Sequence, residues 1–471
     1  MSLPGLTLPG LSLASAPTPE SLPIIPTAST EPRHHDLRPR TEYRFEVGFA
    51  QQLNLKLLNG TAELFGTELA CNAKEPYTFR GCKAAIYTWH GCRLQVEGDV
   101  ESEYVAEETP MTEVANVHFA LEGMRDRVAE SPPPLSGANG HAEPAIMGPR
   151  VLVVGPENAG KTSLVKTLTA YGVKCGRSTV LVNLDPREGM LSVPGSLTAA
   201  TFASILDVEE GWGSSPISGP SAVPVKMPLV YHYGLGSPDE NGKMFRGLVT
   251  RLALAVTSRL EADEESRISG CIIDTPGSLS TDKKGVYENI QHIVSEFSIN
   301  ILLVLGSERL HSDLSRRFSS RNGVNSDEPV TVIRLDKSGG CVDRDEDYMK
   351  KLRQTQIRQY FFGHGTTTLS PHTHRVDFSA LNIFRTIDEG RLYEKIKPSL
   401  MIQNGLLAIT NAEPNESAEA IRDSSVLGYV YIADVDEAKQ QVRLLAPLSG
   451  HIPHKAMILG LWPEEVVGLV G

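Results

Sequence analysis

The sequence predicts an α/β chain of three folded units: a central doubly wound sheet domain flanked by a small N-terminal β-sandwich and a small C-terminal β-rich domain. Three observations carry this. Five largely apolar runs (150–154, 179–184, 271–274, 300–305 and 330–335) alternate with helical stretches such as 161–170 and 244–260. Strands buried on both faces of a parallel sheet and joined by right-handed crossovers have that pattern. Short alternating strands separated by turns precede these runs from about residue 43, and from about residue 386 the short-strand pattern returns. The length of 471 residues agrees, since domains run to ~100–200 residues each.

Taken in order, residues 1–41 hold eight prolines and little periodicity, so they read as a disordered leader. Order begins near Tyr43. Residues 44–49 and 53–57 alternate, Asn59-Gly60 offers a tight turn, and 62–65, 83–89 and 93–96 continue as strands, giving an N-terminal β domain over 42–113. The period then changes. Val117, Leu121, Met124 and Val128 lie three or four apart, which predicts a helix over 114–128 at the start of a central domain spanning 114–385. Within that domain the Pro- and Gly-rich residues 131–149 read as a flexible insert, and 211–224 as a surface loop. Strands at 426–432, 441–445 and 456–459 place a third, α+β domain over 386–471. No internal repeat is visible.

Composition excludes several classes. Lys plus Arg is 45 against 57 for Asp plus Glu, a net charge of −12, so the chain has no bulk attraction to phosphate backbones and any RNA contact needs a local patch. The longest apolar runs, such as 301–305, fall far short of the ~18 residues of a membrane span, and no secretory signal is seen. The six cysteines contain no C-x-x-C pair and read as reduced thiols of a cytosolic or nuclear protein.

The strongest chemical signal is Gly155-Pro156-Glu157-Asn158-Ala159-Gly160-Lys161-Thr162, an ungapped G-x-x-x-x-G-K-T between a buried strand and a helix. It makes the central domain P-loop NTPase-like. The glycines let backbone N–H groups turn toward phosphates at the helix start. Lys161 would meet the β- and γ-phosphates and the Thr162 hydroxyl a Mg²⁺ ion. Asp185 and Asp274 end the second and third runs, where strand C-termini face the ligand crevice, so both can approach a metal; otherwise they are cap or turn carboxylates. Asp274-Thr275-Pro276-Gly277 imitates the D-x-x-G of GTPases, but a guanine reader is present only as a reversed Asp336-Lys337, and the loop alone is compatible with ATP as well as GTP.

These features together resemble the Clp-type family, the P-loop subunits of the pre-mRNA 3′-end cleavage machinery, which are related to polynucleotide 5′-hydroxyl kinases. The resemblance covers about residues 42–471. It rests on Phe65-Gly66-Thr67-Glu68-Leu69-Ala70, residues 155–163, Asn183-Leu184-Asp185-Pro186, Val193-Pro194-Gly195, Ile357-Arg358-Gln359-Tyr360-Phe361-Phe362-Gly363, and residues 449–459 with Pro453, Lys455, Ala456 and Met457. The details resemble the fungal branch most. The resemblance implies an N-terminal domain closing over the base of an ATP, with Glu42 and Lys83 touching the nucleotide. On their own both residues read as solvated charges. It also implies ATP contacts from Gly155, Glu157, Asn158, Ala159, Gly160, Lys161, Thr162, Ser163 and Asp185, and Mg²⁺ ligation by Thr162, Asp185 and Asp274.

Active kinases of this family follow the strand-ending Asp with D-x-G-Q and place a Trp after the third strand. Here the first motif reads Asp185-Pro186-Arg187-Glu188 and the second Thr275-Pro276-Gly277-Ser278. A missing aromatic removes base stacking of ~1–3 kcal/mol. Arg353 and Arg358 remain as lid candidates for the γ-phosphate, although five residues apart they do not share a helix face. The degraded substrate motifs favour an ATP-holding subunit that bridges partners and serves cleavage and polyadenylation; the alternative is an active polynucleotide 5′-hydroxyl kinase. The resemblance implies a nuclear location, and as partner the scaffold subunit of cleavage factor IA that also binds the RNA polymerase II tail, beside other 3′-end processing subunits. Any RNA contact is expected to be weak or indirect, and no membrane is expected. His372 and His374 read as a polar loop without a third metal ligand, His34 and His35 as leader, and Trp89, Trp212 and Trp462 as packing.

Overall fold

The computed structural model describes residues 31–131, 146–209, 228–281, 285–319, 329–364, 367–387 and 392–469. Residues 1–30 of the expected leader, most of the 131–149 insert, the 211–224 loop and Trp212 lie outside the described residues. The N-terminal unit is a β-sandwich of a four-stranded and a five-stranded sheet. Its inward residues alternate: Leu53, Leu55 and Leu57 from one sheet meet Tyr43, Phe45 and Ile86 from the other. Arg33–Leu37 is a strand, paired with Cys92–Gly98, inside the stretch expected to be leader. It escaped the sequence reading because it is an edge strand that sends only Leu37 fully into the core, so Arg-His-His-Asp-Leu shows no apolar alternation.

The helix Met111–Glu130 leaves the sandwich and lays Met111, Val114, Val117 and Leu121 on the central domain. There the sheet order is Leu229–His232, Ser196–Phe202, Thr179–Asn183, Cys271–Asp274, Arg150–Val154, Ile301–Leu305, Thr331–Leu335. The last five are the expected parallel strands. The first two are antiparallel additions that the sequence reading missed, so the sheet is mixed. Alternation along Arg150–Val154 divides the core. Leu152 and Val154 pack under the helix Gly242–Ala262, and Val151 and Val153 under Lys161–Lys174. Because Cys271–Asp274 neighbours both Arg150–Val154 and Thr179–Asn183, the ends of three strands converge where the phosphate loop begins.

The C-terminal unit is a seven-stranded sheet that starts with His372–Asp377, ahead of the expected boundary at 386. His372 and His374 therefore lie on an edge strand paired with Gln441–Ala446, not in a loop. The expected strands appear as Val426–Asp436, Gln441–Ala446 and Ala456–Leu459. No described helix is long and apolar enough to cross a membrane.

Candidate functional site: a phosphate loop facing the N-terminal sandwich

The loop after Arg150–Val154 turns through two left-handed residues, Asn158 at φ 54° and Gly160 at φ 89°. At Gly160 glycine is required twice over: the dihedral disfavours a side chain, and an added Cβ would stand 2.8 Å from the Cys341 sulfur. The helix Lys161–Lys174 starts at the next residue, leaving its first N–H groups open toward the loop. Lys161 is buried and folds back so that Nζ donates to the Pro156 carbonyl at 2.9 Å. An ammonium held over a phosphate-sized nest of N–H groups is the arrangement that binds an anion.

Thr162 Oγ1 donates to Asp274 Oδ2 at 2.6 Å. Burial pushes the Asp274 carboxyl up to about 6, against the pull of Lys161 and Thr162. Asp185 is pushed the same way, by burial and by the negative charge of Glu188. Two carboxyls short of positive charge beside a threonine hydroxyl form an all-oxygen donor set, which fits a hard divalent cation such as Mg²⁺. Asp185 faces the cavity, whereas Asp274 sits one layer deeper behind Thr162.

The cavity measures about 480 Å³, within the range of small-molecule sites. Residues 158–163 form its floor, and its N-terminal wall includes Glu42 and Lys83. Register places the two on adjacent strands, Thr41–Val47 and Cys82–Thr88, with Glu46 opposite Lys83. The Lys83 ammonium pairs with Glu46 at 2.8 Å, lies 3.4 Å from the Asp343 carbonyl and stands over the Tyr348 ring. Glu42 is buried, paired with Arg44 at 2.7 Å and accepting from the Thr109 hydroxyl. Arg44 continues to Glu108 and Ser338. These two charges, which the sequence alone read as solvated, thus tie the N-terminal sheet to the segment around 338–348.

Four of the expected residues stand apart. Gly155 does not line the cavity. Glu157 does not either; its backbone lies against Gly277, where an added Cβ would come within 2.5 Å of the Glu157 nitrogen. The D-x-x-G likeness is accounted for by that close packing. Arg353 and Arg358 do not line the cavity. The helix Glu346–Phe362 turns Leu352, Thr355, Gln356 and Gln359 to the cavity, so residues 353 and 358 point elsewhere. Arg353 is 1% exposed and pairs with Glu346 and Glu464, both at 2.7 Å; Arg358 is exposed over Phe362.

Two arginines line the cavity, Arg80 and Arg344; the sequence reading missed both, and Arg344 is the one bonded to the phosphate loop. Its Nη groups grip Glu188 at 2.6 and 3.0 Å, and its Nε donates to Asn158 of the loop at 3.1 Å. Burial alone would raise the Glu188 carboxyl, but Arg344 holds it low. The available signal was position: a basic residue in the loop after the strand Thr331–Leu335, at the same end of the sheet as the phosphate loop. Arg187 bridges Glu157 at 3.3 Å and Glu346 at 2.8 Å. Where the kinases carry Gly and Gln, this chain therefore makes three ion pairs, Arg187 with Glu157 and with Glu346, and Glu188 with Arg344. Asp336, the reversed guanine-reader residue, has its carboxylate held by Arg334 at 3.3 Å.

Comparison with known proteins gives a consistent result. The family described as the P-loop of mRNA cleavage and polyadenylation factor CLP1 matches residues 155–363. The N-terminal beta-sandwich domain of polyadenylation factor matches 36–128, and pre-mRNA cleavage complex II protein Clp1 matches 369–464. The mRNA cleavage and polyadenylation factor CLP1 of Phaeosphaeria nodorum is 57% identical, with 99% of this chain and 100% of that one covered. The corresponding protein of Botryotinia fuckeliana is 50% identical, with 100% of both covered. Among solved structures, a wild-type Clp1p–Pcf11p complex superposes with a TM-score of 0.81 at 30% identity, covering 92% of this chain and 98% of that one. A second, described as showing an extended Pcf11p–Clp1p interface and the basis of ATP loss in a point mutant, gives 0.79 at 29% identity, covering 92% and 99%.

Proposed function

Since the chain belongs to the Clp1 family of mRNA cleavage and polyadenylation factors, we propose that it is the ATP-holding subunit of a nuclear pre-mRNA 3′-end cleavage complex. In this reading ATP is kept as a structural part and is not spent. The single observation that carries it is the contrast within the cavity. Lys161 is buried over the loop and Thr162 donates to Asp274, while the residues at the kinase Gly and Gln positions are held in ion pairs, Glu188 by Arg344 at the cavity and Arg187 by Glu157 and Glu346 at its edge. Lys161 and the open N–H groups of residues 160–163 would hold the phosphates, and Arg344 the terminal one on exchanging Glu188 for it. Thr162, Asp274 and Asp185 would hold Mg²⁺, which supplies charge neutralisation between the phosphates. Glu42 and Lys83 would close the N-terminal wall over the nucleotide.

A bound ligand that is never turned over stabilises the fold by mass action and can fix a docking surface. The partner this supports is a Pcf11-like scaffold subunit, the one expected to bind the RNA polymerase II tail, since two solved relatives are complexes with Pcf11p. Two measurements test the reading. Protein purified without added nucleotide should carry intact ATP, and Lys161→Ala should lose it. Transfer of labelled γ-phosphate to a 5′-hydroxyl RNA should stay at background. Robust labelling that disappears in Lys161→Ala would overturn the reading and establish a polynucleotide kinase.

A further inference from the structure

Two elements bound the cavity on its C-terminal side, the helix Glu346–Phe362 and the loop 185–195, and both rest on one short piece of the C-terminal domain. Trp462 stacks on Arg353 of the helix, with the guanidinium carbon 4.3 Å from the ring centroid. Glu464 takes the same guanidinium at 2.7 and 3.0 Å. On the other side the Trp462 carbonyl would stand 2.8 Å from a Cβ added at Gly195, and the Trp462 N–H donates to the Gly234 carbonyl at 3.0 Å. Gly195 in turn donates to the carbonyl of Pro186, next to Asp185, and Gln356 of the helix donates to the Gly189 carbonyl at 3.0 Å. The charges run on without a gap: Glu464 to Arg353, Arg353 to Glu346, Glu346 to Arg187, and Arg187 to Glu157 of the phosphate loop.

We propose, resting on the reading that this chain retains ATP, that the 462–464 segment is a positioning wedge which holds the lid helix and the 185–195 loop against the phosphate loop, so that the C-terminal domain sets the rate of ATP release. Arg353 is buried, and a buried ion pair adds little net stability but fixes geometry well. What it fixes here is the helix whose Leu352, Thr355, Gln356 and Gln359 line the cavity and whose Glu346 holds Arg187. Loosening Glu464 frees Arg353 to draw Glu346 away from Arg187, and the lid gains freedom to open. Neither Trp462 nor Glu464 lines the cavity, so any effect on nucleotide must travel through these contacts.

The test is the release of prebound labelled ATP from the full chain, chased with excess unlabelled ATP. Glu464→Gln keeps the shape and removes the charge. It is expected to speed release about tenfold, the equivalent of one charge-assisted hydrogen bond. Trp462→Phe should release more slowly than Trp462→Ala. Combining Glu464→Gln with Arg187→Ala should add less than the sum of the two single effects, because both act on Glu346. A purely structural wedge would lower the melting temperature of the ATP-free variants and leave the release rate alone. Wild-type release from folded Glu464→Gln overturns the proposal while leaving ATP retention standing, even if Trp462→Ala fails to fold. Wild-type protein that holds no ATP overturns both.

Discussion

His232 ends the strand Leu229–His232 and is buried where the central sheet edge meets the C-terminal domain, its Nδ1 3.4 Å from the Tyr429 hydroxyl. Burial drives its imidazole down to about 3. In the unfolded chain it titrates near ~6.5, so between those values the unfolded state holds a proton that the folded state refuses. The stability this neutral histidine provides is whole above about pH 6.5 and is lost as pH falls, at up to ~1.4 kcal/mol per unit. Urea unfolding at several pH values should show His232→Gln losing less stability than wild type between pH 6.5 and 4. Equal slopes would mean that His232 takes up its proton in the folded state. The same residue scale shows what the sequence could announce. Lys161, Thr162 and Asp274 were legible because their spacing belongs to the loop and strand that make them work. Arg344 and His232 were not, since an arginine in a loop and a histidine on an edge strand acquire meaning only from partners far along the chain, Glu188 and Tyr429.

At the scale of elements, the turn Phe65-Gly66-Thr67 explains how the sandwich finds the phosphate loop. Gly66 sits at φ 82°, and an added Cβ would lie 2.8 Å from the Thr167 carbonyl and 3.0 Å from the Ala170 methyl, both on the helix Lys161–Lys174. One turn further on, the Tyr171 hydroxyl hydrogen-bonds Glu63. The helix that begins at the P-loop is therefore clamped to the N-terminal sheet along its outer face. Gly66→Ala meets both a strained dihedral and backbone contact, so it should cost about 1–3 kcal/mol in unfolding free energy. It should also weaken ATP binding, though residue 66 is not a phosphate-loop residue; calorimetric titration of ATP into the folded variant checks this. The parallel strands were legible because each is apolar along its whole length. The antiparallel pair Ser196–Phe202 and Leu229–His232 was not, since buried Ser196, Thr198, Ala199 and Ala200 give no apolar run. The lid arginines stand off the cavity for a geometric reason: the helix turns residues 352, 355, 356 and 359 to it, which leaves 353 and 358 on other faces.

At the scale of the whole molecule, the cavity lies between the sandwich and the central domain, and the C-terminal domain is fastened to the helix beside it. Arg44 and Lys83 reach from the sandwich to the 338–348 segment, with Tyr348 donating to the Gly81 carbonyl at 3.1 Å. Arg353 reaches from the lid helix to the C-terminal domain. Linked domains drift relative to one another unless their interface is large or pinned. Here the pins are a few donor–acceptor pairs, three single hydrogen bonds and one ion pair. ATP between the sandwich wall and the phosphate loop would supply what these pairs lack, holding the domains in one arrangement. A scaffold segment that docks on the ordered arrangement should then bind the ATP-loaded form more tightly, and by reciprocity should slow ATP loss by the same factor. Substitutions at Lys161, Thr162 or Asp185 are expected to weaken the scaffold segment's affinity without touching its contact surface. The measurement is affinity for a Pcf11-like segment across wild type and these variants, with circular dichroism to establish that each stays folded. If folded, ATP-free variants bind the segment as tightly as wild type, ATP stabilises the core alone and the domains need no nucleotide to present their docking face.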